Sequence, residues 1–209
     1  MANKGKYYES QFEEATIELL REAHWQYTLG DDIHRKYTDP LIEEDLRNFL
    51  AVQYKDKNLT TSEMDGIVAN LRNTGGQNDY YALRNAFLLY RDGYDFAYSD
   101  SRDNPFRMEY IDFEHPDHNI FRCVNQFVMG QGRENRRPDI LLFINGIPVC
   151  IIELKNPTKQ NATIRDAHTQ ICTRYMRDIP ALLKYCALAV ISDGAKNALG
   201  TTYTPFEFF

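Results

Sequence analysis

The run from Arg137 to Lys155, "RPDILLFINGIPVCIIELK", constrains this chain more than any other. Two apolar stretches meet across Asn145-Gly146, a dipeptide suited to the left-handed backbone of a tight β-turn, which predicts an antiparallel hairpin. Charge stands only at the open end. Asp139 begins the first arm, and Glu153-Leu154-Lys155 closes the second.

Residues two apart on a strand share a face, so Glu153 and Lys155 point the same way. Where Asp139 falls depends on the turn. A two-residue turn sets Asp139 opposite Ile152 and puts Glu153 on the other face. One extra residue, in a type I turn whose left-handed glycine forms a bulge, sets Asp139 opposite Glu153. Pro148 has no N–H for the ladder and favours the bulged form, which is the expected one. Two carboxylates and an ammonium then converge at the sheet's end, beside Pro157. Ionised carboxylates that close need a counter-charge, and hard oxygen ligands suit magnesium or manganese. Such a cation polarises a phosphodiester, activates water and stabilises the leaving oxygen, while a lysine orients the water or offsets negative charge. Glu-x-Lys on a strand face also arises as a simple surface ion pair.

The rest of the chain predicts an α/β fold, a mixed central β-sheet flanked by helices. Glu9–Ala23 is an amphipathic helix and Trp25–Leu29 a short strand. Leu41–Tyr54, Ser62–Leu71 and Asp79–Tyr90 are helices, a helical insertion over about 39–93 within a single domain whose core is 1–30 and 106–209. Ile120–Met129 reads as a strand before the hairpin, Asn161–Met176 as a helix, Pro180–Tyr185 as a helical turn and Ala187–Ser192 as a buried strand. The closing Thr204-Pro-Phe-Glu-Phe-Phe reads as a strand cut short.

With 209 residues and 43% hydrophobic content, one sizeable core is available. No apolar run is long enough for a membrane span and no secretory signal opens the chain, so a cytoplasmic location is expected. Cys123, Cys150, Cys172 and Cys186 lack Cys-x-x-Cys spacing and read as reduced thiols. No Gly-x-x-x-x-Gly-Lys-Ser/Thr loop for nucleotide is present. The net charge of −6 argues against a freestanding nucleic-acid binder, but residues 131–184 carry 9 Lys and Arg against 5 Asp and Glu, whereas residues 1–130 carry 14 against 23. The basic segment contains the hairpin. Its Arg133, Arg136, Arg137, Lys159, Arg165, Arg174 and Arg177 are candidates for phosphate contacts that position DNA without reading its sequence.

"RPDILLFINGIPVCIIELKNP" at 137–157, "NQF" at 125–127, Gln170 with "RYMRDIP" at 174–180 and "VISDGAKNALGT" at 190–201 occur in one order. This run, from about Phe121 to Thr201, resembles the PD-(D/E)xK nuclease superfamily and, within it, the N-terminal endonuclease domain of the restriction (motor) subunit of type I restriction-modification enzymes. "ESQFEEATIELL" near the N-terminus adds looser support. The resemblance implies a magnesium-dependent endonuclease, tolerant of manganese, that cuts double-stranded DNA within a longer subunit. Helicase-like motors powered by ATP would follow this domain, which would not itself bind ATP, and methyltransferase and specificity subunits would complete the complex. It implies that Asp139 and Glu153 bind metal, that Lys155 is the catalytic lysine, and that Glu13 is a helical acid able to add a metal or water ligand. Glu13 is also one of several acids on a solvated helix face. Gln170 matches the glutamine of a Gln-x-x-x-Tyr motif. Tyr175 comes one residue late, with Arg174 in its place, a step that turns a side chain by about 100° on an α-helix.

His115-Pro-Asp-His118, beside Glu114, reads as a polar loop before a strand, a zinc site needing more ligands than these. Trp25, Tyr27, Tyr80, Tyr81, Phe87 and Tyr90 read as core rather than as base-stacking platforms. Two other functions fit the same residues: a stand-alone repair or junction nuclease of the superfamily, and a noncatalytic docking module of the restriction complex. The intact Asp139, Glu153 and Lys155 speak against the second.

Overall fold

The computed structural model describes residues 4–100, 103–130, 135–156 and 163–209. Helix α1 (Lys4–Glu22) leads into strand β1 (Gln26–Leu29), and helices α2 (Glu43–Gln53), α3 (Thr61–Arg72) and α4 (Asp79–Asp92) follow. A small antiparallel pair, β2 (Tyr94–Phe96) with β3 (Phe106–Met108), was not foreseen from the sequence. Strands β4 (Phe121–Asn125), β5 (Ile140–Ile144) and β6 (Ile147–Leu154) come next. Helix α5 (Ile164–Thr169), a π-helical turn (Gln170–Tyr175), and the short helices α6 (Met176–Asp178) and α7 (Pro180–Leu183) precede β7 (Leu188–Ser192) and β8 (Asn197–Gly200).

Six strands form one mixed sheet in the order β1-β4-β5-β6-β7-β8. The β1/β4 and β6/β7 pairs are parallel and the others antiparallel, which bears out the α/β class with helices on both sides. One face of the sheet packs Val124, Leu141, Phe143, Ile151, Ala189 and Ile191 against Ala167, Ile171, Tyr175 and Leu182 of the α5–α7 segment. The opposite face packs Cys123, Ile140, Ile152 and Leu154 against Ile17 of α1. With both faces covered, β6 is buried at nearly every position, the reason its sequence is apolar without alternation. The helices α2–α4 close a separate cluster around Leu46, Leu50, Ile67 and Leu71 that reaches Ile147 and Tyr185.

Asn145 (φ 50°) and Gly146 (φ 75°) are both left-handed, so the turn is the two-residue type I′ and not the type I turn with a glycine bulge. The extra residue is nevertheless there, farther along. Ile144 faces Ile147 and Phe143 faces Pro148, but Leu142 faces Cys150, leaving Val149 as the bulge next to the proline that cannot feed the ladder. Asn145 is fully buried: its side chain donates to the carbonyl of Tyr110 (2.9 Å) and to Asn119 (2.8 Å), and its Oδ1 accepts from the Ile120 N–H (2.7 Å). The Gly146 carbonyl accepts from the Ile42 N–H at 2.9 Å, and a Cβ on Gly146 would overlap the Ile42 carbonyl. Helix α2 therefore rests on the turn, at the far end of the hairpin from its charges. Gly146→Ala combines that overlap with a positive φ and is expected to cost roughly 2–4 kcal/mol in denaturant unfolding. A cost below about 1 kcal/mol would mean that α2 does not rest there.

Two further expectations are corrected. The strand foreseen over Ile120–Met129 stops at Asn125, because β1 ends level with it at Leu29 and Gln126 turns left-handed (φ 56°); Met129 returns only to bridge Arg136. Strand β7 ends at Ser192, as expected, and a turn at Gly194 sends the chain back as β8, which the sequence did not suggest. The closing Phe206–Phe208 is a 3-10 turn, with Phe206 and Phe209 packed on the His168 ring at 5.5 and 5.0 Å. All four cysteines are free thiols. Trp25 packs on Phe121 and Tyr90 is core, whereas Tyr80 and Tyr81 lie exposed.

Candidate active site

The bulge at Val149 restores the register that the charged end of the hairpin needs. Ile140 faces Ile152, so one further step brings Asp139, just outside β5, level with Glu153. Asp139 Oδ2 accepts from the Leu154 N–H at 2.7 Å, which pins the carboxylate to the neighbouring strand. Glu153 is 1% exposed. Lys155 Nζ donates to Glu153 Oε1 at 2.6 Å and to the Leu154 carbonyl at 3.1 Å, and its backbone N–H is held by the Ser192 carbonyl at 2.8 Å. The three residues singled out in the sequence thus share one end of the central strands.

Burial pushes the Glu153 carboxyl up to about 8, and the charge of Asp139 adds to the rise; Lys155 and the Tyr175 hydroxyl oppose it. Lys155 pairs with Glu153, and the Asp139 carboxylate lies close enough to add its charge to the same site. The carboxylate oxygens of Asp139 and Glu153 are donors of the kind that suit a hard divalent cation.

Glu153 Oε2 accepts from the Tyr175 hydroxyl at 3.2 Å, and Tyr175 Oη accepts from Gln170 Nε2 at 2.6 Å. On an α-helix a separation of five residues would aim these two side chains apart. The π-helical turn over Gln170–Tyr175 removes the conflict: its i→i+5 bonding takes up the extra residue and returns Tyr175 to the side that faces the sheet. The late tyrosine therefore reaches Glu153 after all, and burial together with the nearby Glu153 charge raises its own pKa. The trace of this in the sequence is the extra residue between Gln170 and Tyr175.

Residues 6–208 match the family model described as type I restriction enzyme R protein N terminus. The chain belongs to that family. This R-protein N-terminal domain is 29% identical over 211 residues to the type I restriction enzyme HindI endonuclease subunit of Haemophilus influenzae, across 96% of the chain and 20% of that subunit. It is 30% identical over 205 residues to the putative type I restriction enzyme MjaIXP endonuclease subunit of Methanocaldococcus jannaschii, across 94% of the chain and 20% of that subunit. A shorter match, 38% over 95 residues, joins 46% of the chain to 9% of the putative MjaVIIIP endonuclease subunit of the same organism. The chain spans about a fifth of the length of the first two relatives.

Elsewhere in the R-protein N-terminal domain the candidate residues separate. Glu13 lies on α1, against the opposite face of the sheet from Glu153, and its Oε1 accepts from Asn125 (2.7 Å) and Gln126 (3.0 Å) at the end of β4. The left-handed Gln126 that ends the strand is thus also what reaches the helical acid. Among the basic residues, Arg137 and Arg174 are exposed. Arg136 is half-buried and paired with Asp178 at 2.6 Å, bracing the loop before β5. Arg177 also meets Asp178, at 2.6 Å. The Arg165 guanidinium lies 4.1 Å over the Phe206 ring. Arg133 and Lys159 lie outside the described residues, as does Pro157. No described helix of the R-protein N-terminal domain is long and apolar enough to cross a membrane.

Proposed function

We propose that this domain is the magnesium-dependent endonuclease of a type I restriction enzyme and hydrolyses phosphodiester bonds of double-stranded DNA. The observation that carries the reading is the buried Glu153, held between Lys155 and Tyr175 and level with Asp139, at the open end of the central hairpin. Family membership supports a nuclease role in general. Asp139 and Glu153 would hold the cation, with manganese able to substitute. When bound, it supplies Lewis-acid polarisation of the phosphodiester and a lowered pKa for water.

The chain's own groups do the positioning. The Leu154 N–H sets the orientation of the Asp139 carboxylate, and the Tyr175 hydroxyl sets that of Glu153. Lys155 keeps an ammonium at the site where it orients the attacking water and offsets charge building on the phosphate. Gln170 acts through Tyr175 as a positioning residue. Arg137, Arg165 and Arg174 would meet DNA phosphates, and Glu13 would order solvent near Asn125 from the far face.

The wider assignment follows the relatives' type. ATP-driven motor domains of the same polypeptide would deliver the DNA, methyltransferase and specificity subunits would select the site, and the complex would act in the cytoplasm. The acidic first 130 residues suit delivery by such partners better than unaided DNA capture.

Calorimetric titration of manganese into the domain tests the metal assignment, beside Asp139→Asn and Glu153→Gln variants shown by circular dichroism to be folded. Binding in the parent, lost in both variants, is the expected result. Equal binding in all three would remove the metal from these carboxylates and return them to a plain ion-pair cluster.

A further inference from the structure

At the other end of the hairpin, next to its turn, a second group of ligating side chains comes together. Asp112, His115 and His118 offer one donor atom each within 4.8 Å of one another. We propose that these three residues bind a zinc-class divalent cation (zinc, cobalt or nickel), at a site separate from the carboxylate pair.

The donor atoms converge on one oxygen. His118 Nδ1 lies 2.9 Å and His115 Nδ1 3.6 Å from Asp112 Oδ2. In a tetrahedral zinc site with bonds of the usual length, neighbouring donors stand about 3.3 Å apart, so these separations bracket the requirement. The 3.6 Å separation is too long for a hydrogen bond, so the His115 Nδ1 is not tied up by the carboxylate. The two rings stack at 5.0 Å with an interplanar angle of 20°, which presents both Nδ1 atoms toward the same side.

The carboxylate is prepared and the imidazoles are accessible. Asp112 is 4% exposed, whereas the histidine side chains are 63% and 55% exposed, leaving solvent for the remaining coordination positions. Asp112 Oδ1 accepts from the His115 N–H (2.8 Å) and Oδ2 from Gln53 Nε2 of α2 (3.1 Å). Its own N–H donates to Asn119, which also accepts from the buried Asn145 of the hairpin turn. Fixed outer contacts of this kind orient first ligands. Two imidazole nitrogens select zinc, cobalt or nickel over magnesium, which prefers oxygen. The cation would clamp the loop before β4 to α2 and the turn, and would stabilise the fold by mass action. The sequence read this stretch, with Glu114 beside the histidines, as a polar loop; the buried acid that faces them is Asp112.

Zinc calorimetry and cobalt absorption spectra on the Asp139→Asn/Glu153→Gln chain, where the carboxylate pair no longer competes, test the site. One zinc per chain is expected, with a cobalt spectrum characteristic of nitrogen ligation. Adding His115→Ala or His118→Ala should weaken binding at least about 100-fold. Circular dichroism melts in chelator check that these loop variants remain folded. Absence of saturable zinc binding, or unchanged affinity with both histidines replaced, would overturn the site and leave Asp112 as a loop cap.

Discussion

Lys155→Ala is expected to abolish DNA cleavage by the assembled restriction enzyme while leaving the domain folded and ATP hydrolysis by the full-length subunit nearly unchanged. The Nζ lies 2.6 Å from Glu153 Oε1 and supplies the positive charge paired with that carboxyl group. Loss of one preorganised electrostatic group at a reacting centre costs about 10²–10³ in rate, and more where the group also balances ligand charge. Folding tolerates the change because Glu153 can keep its proton, so no bare buried charge is left. Cleavage and ATPase assays on the same preparation decide the matter. Preserved cutting, or ATPase activity lost along with it, would sink the role given to Lys155.

Glu153→Gln, measured without metal, should make the domain more stable, and increasingly so as pH rises. The carboxyl ordinarily titrates near 4.5 and is held up to about 8 in the folded chain. Between these values the folded state keeps a proton that the unfolded state has released, so the parent loses stability with rising pH across that window. Glutamine carries no such proton and escapes the loss. The gap should be small at pH 5 and on the order of a few kcal/mol at pH 8. For a domain of this size that corresponds to a rise in Tm of roughly 5–10 °C. Melting curves in chelator at the two pH values measure it. A variant that is less stable at pH 8, or a gap that does not change with pH, would mean that burial and Asp139 do not act on Glu153 as described.

Both results would describe one trade. A carboxyl group sits where water cannot solvate it, beside another carboxylate, so it keeps its proton unless positive charge is close by. That is the condition expected of a site kept for chemistry rather than for stability.

Much of this site is legible in the amino-acid sequence. Asn145-Gly146 determined the hairpin, since few residue pairs accept two left-handed positions in succession, and the charges at its open end determined where to look. The α2, α3 and α4 spans were legible from local periodicity, and in the structure Thr60 with Glu63 and Asn78 cap α3 and α4. What the sequence left open was set by distant partners. The extra residue of the hairpin moved to Val149, because Ile42 and Asn119 hold the turn tight while Glu153 must meet Asp139. The π-helical turn formed where packing of Ile171 and Tyr175 on the sheet outweighed the α-helical hydrogen bonds it displaced. Phe127, Val128 and Met129 are apolar enough for a strand, but no described strand lies beside them to pair with. Asp112 became the partner of His115 and His118 through Gln53 and Asn119, contacts no spacing rule foretells. Local order follows from backbone sterics and short-range hydrogen bonds, which the sequence carries in full. Bulges, π turns and buried charge depend on which surfaces meet, and only the tertiary structure decided that.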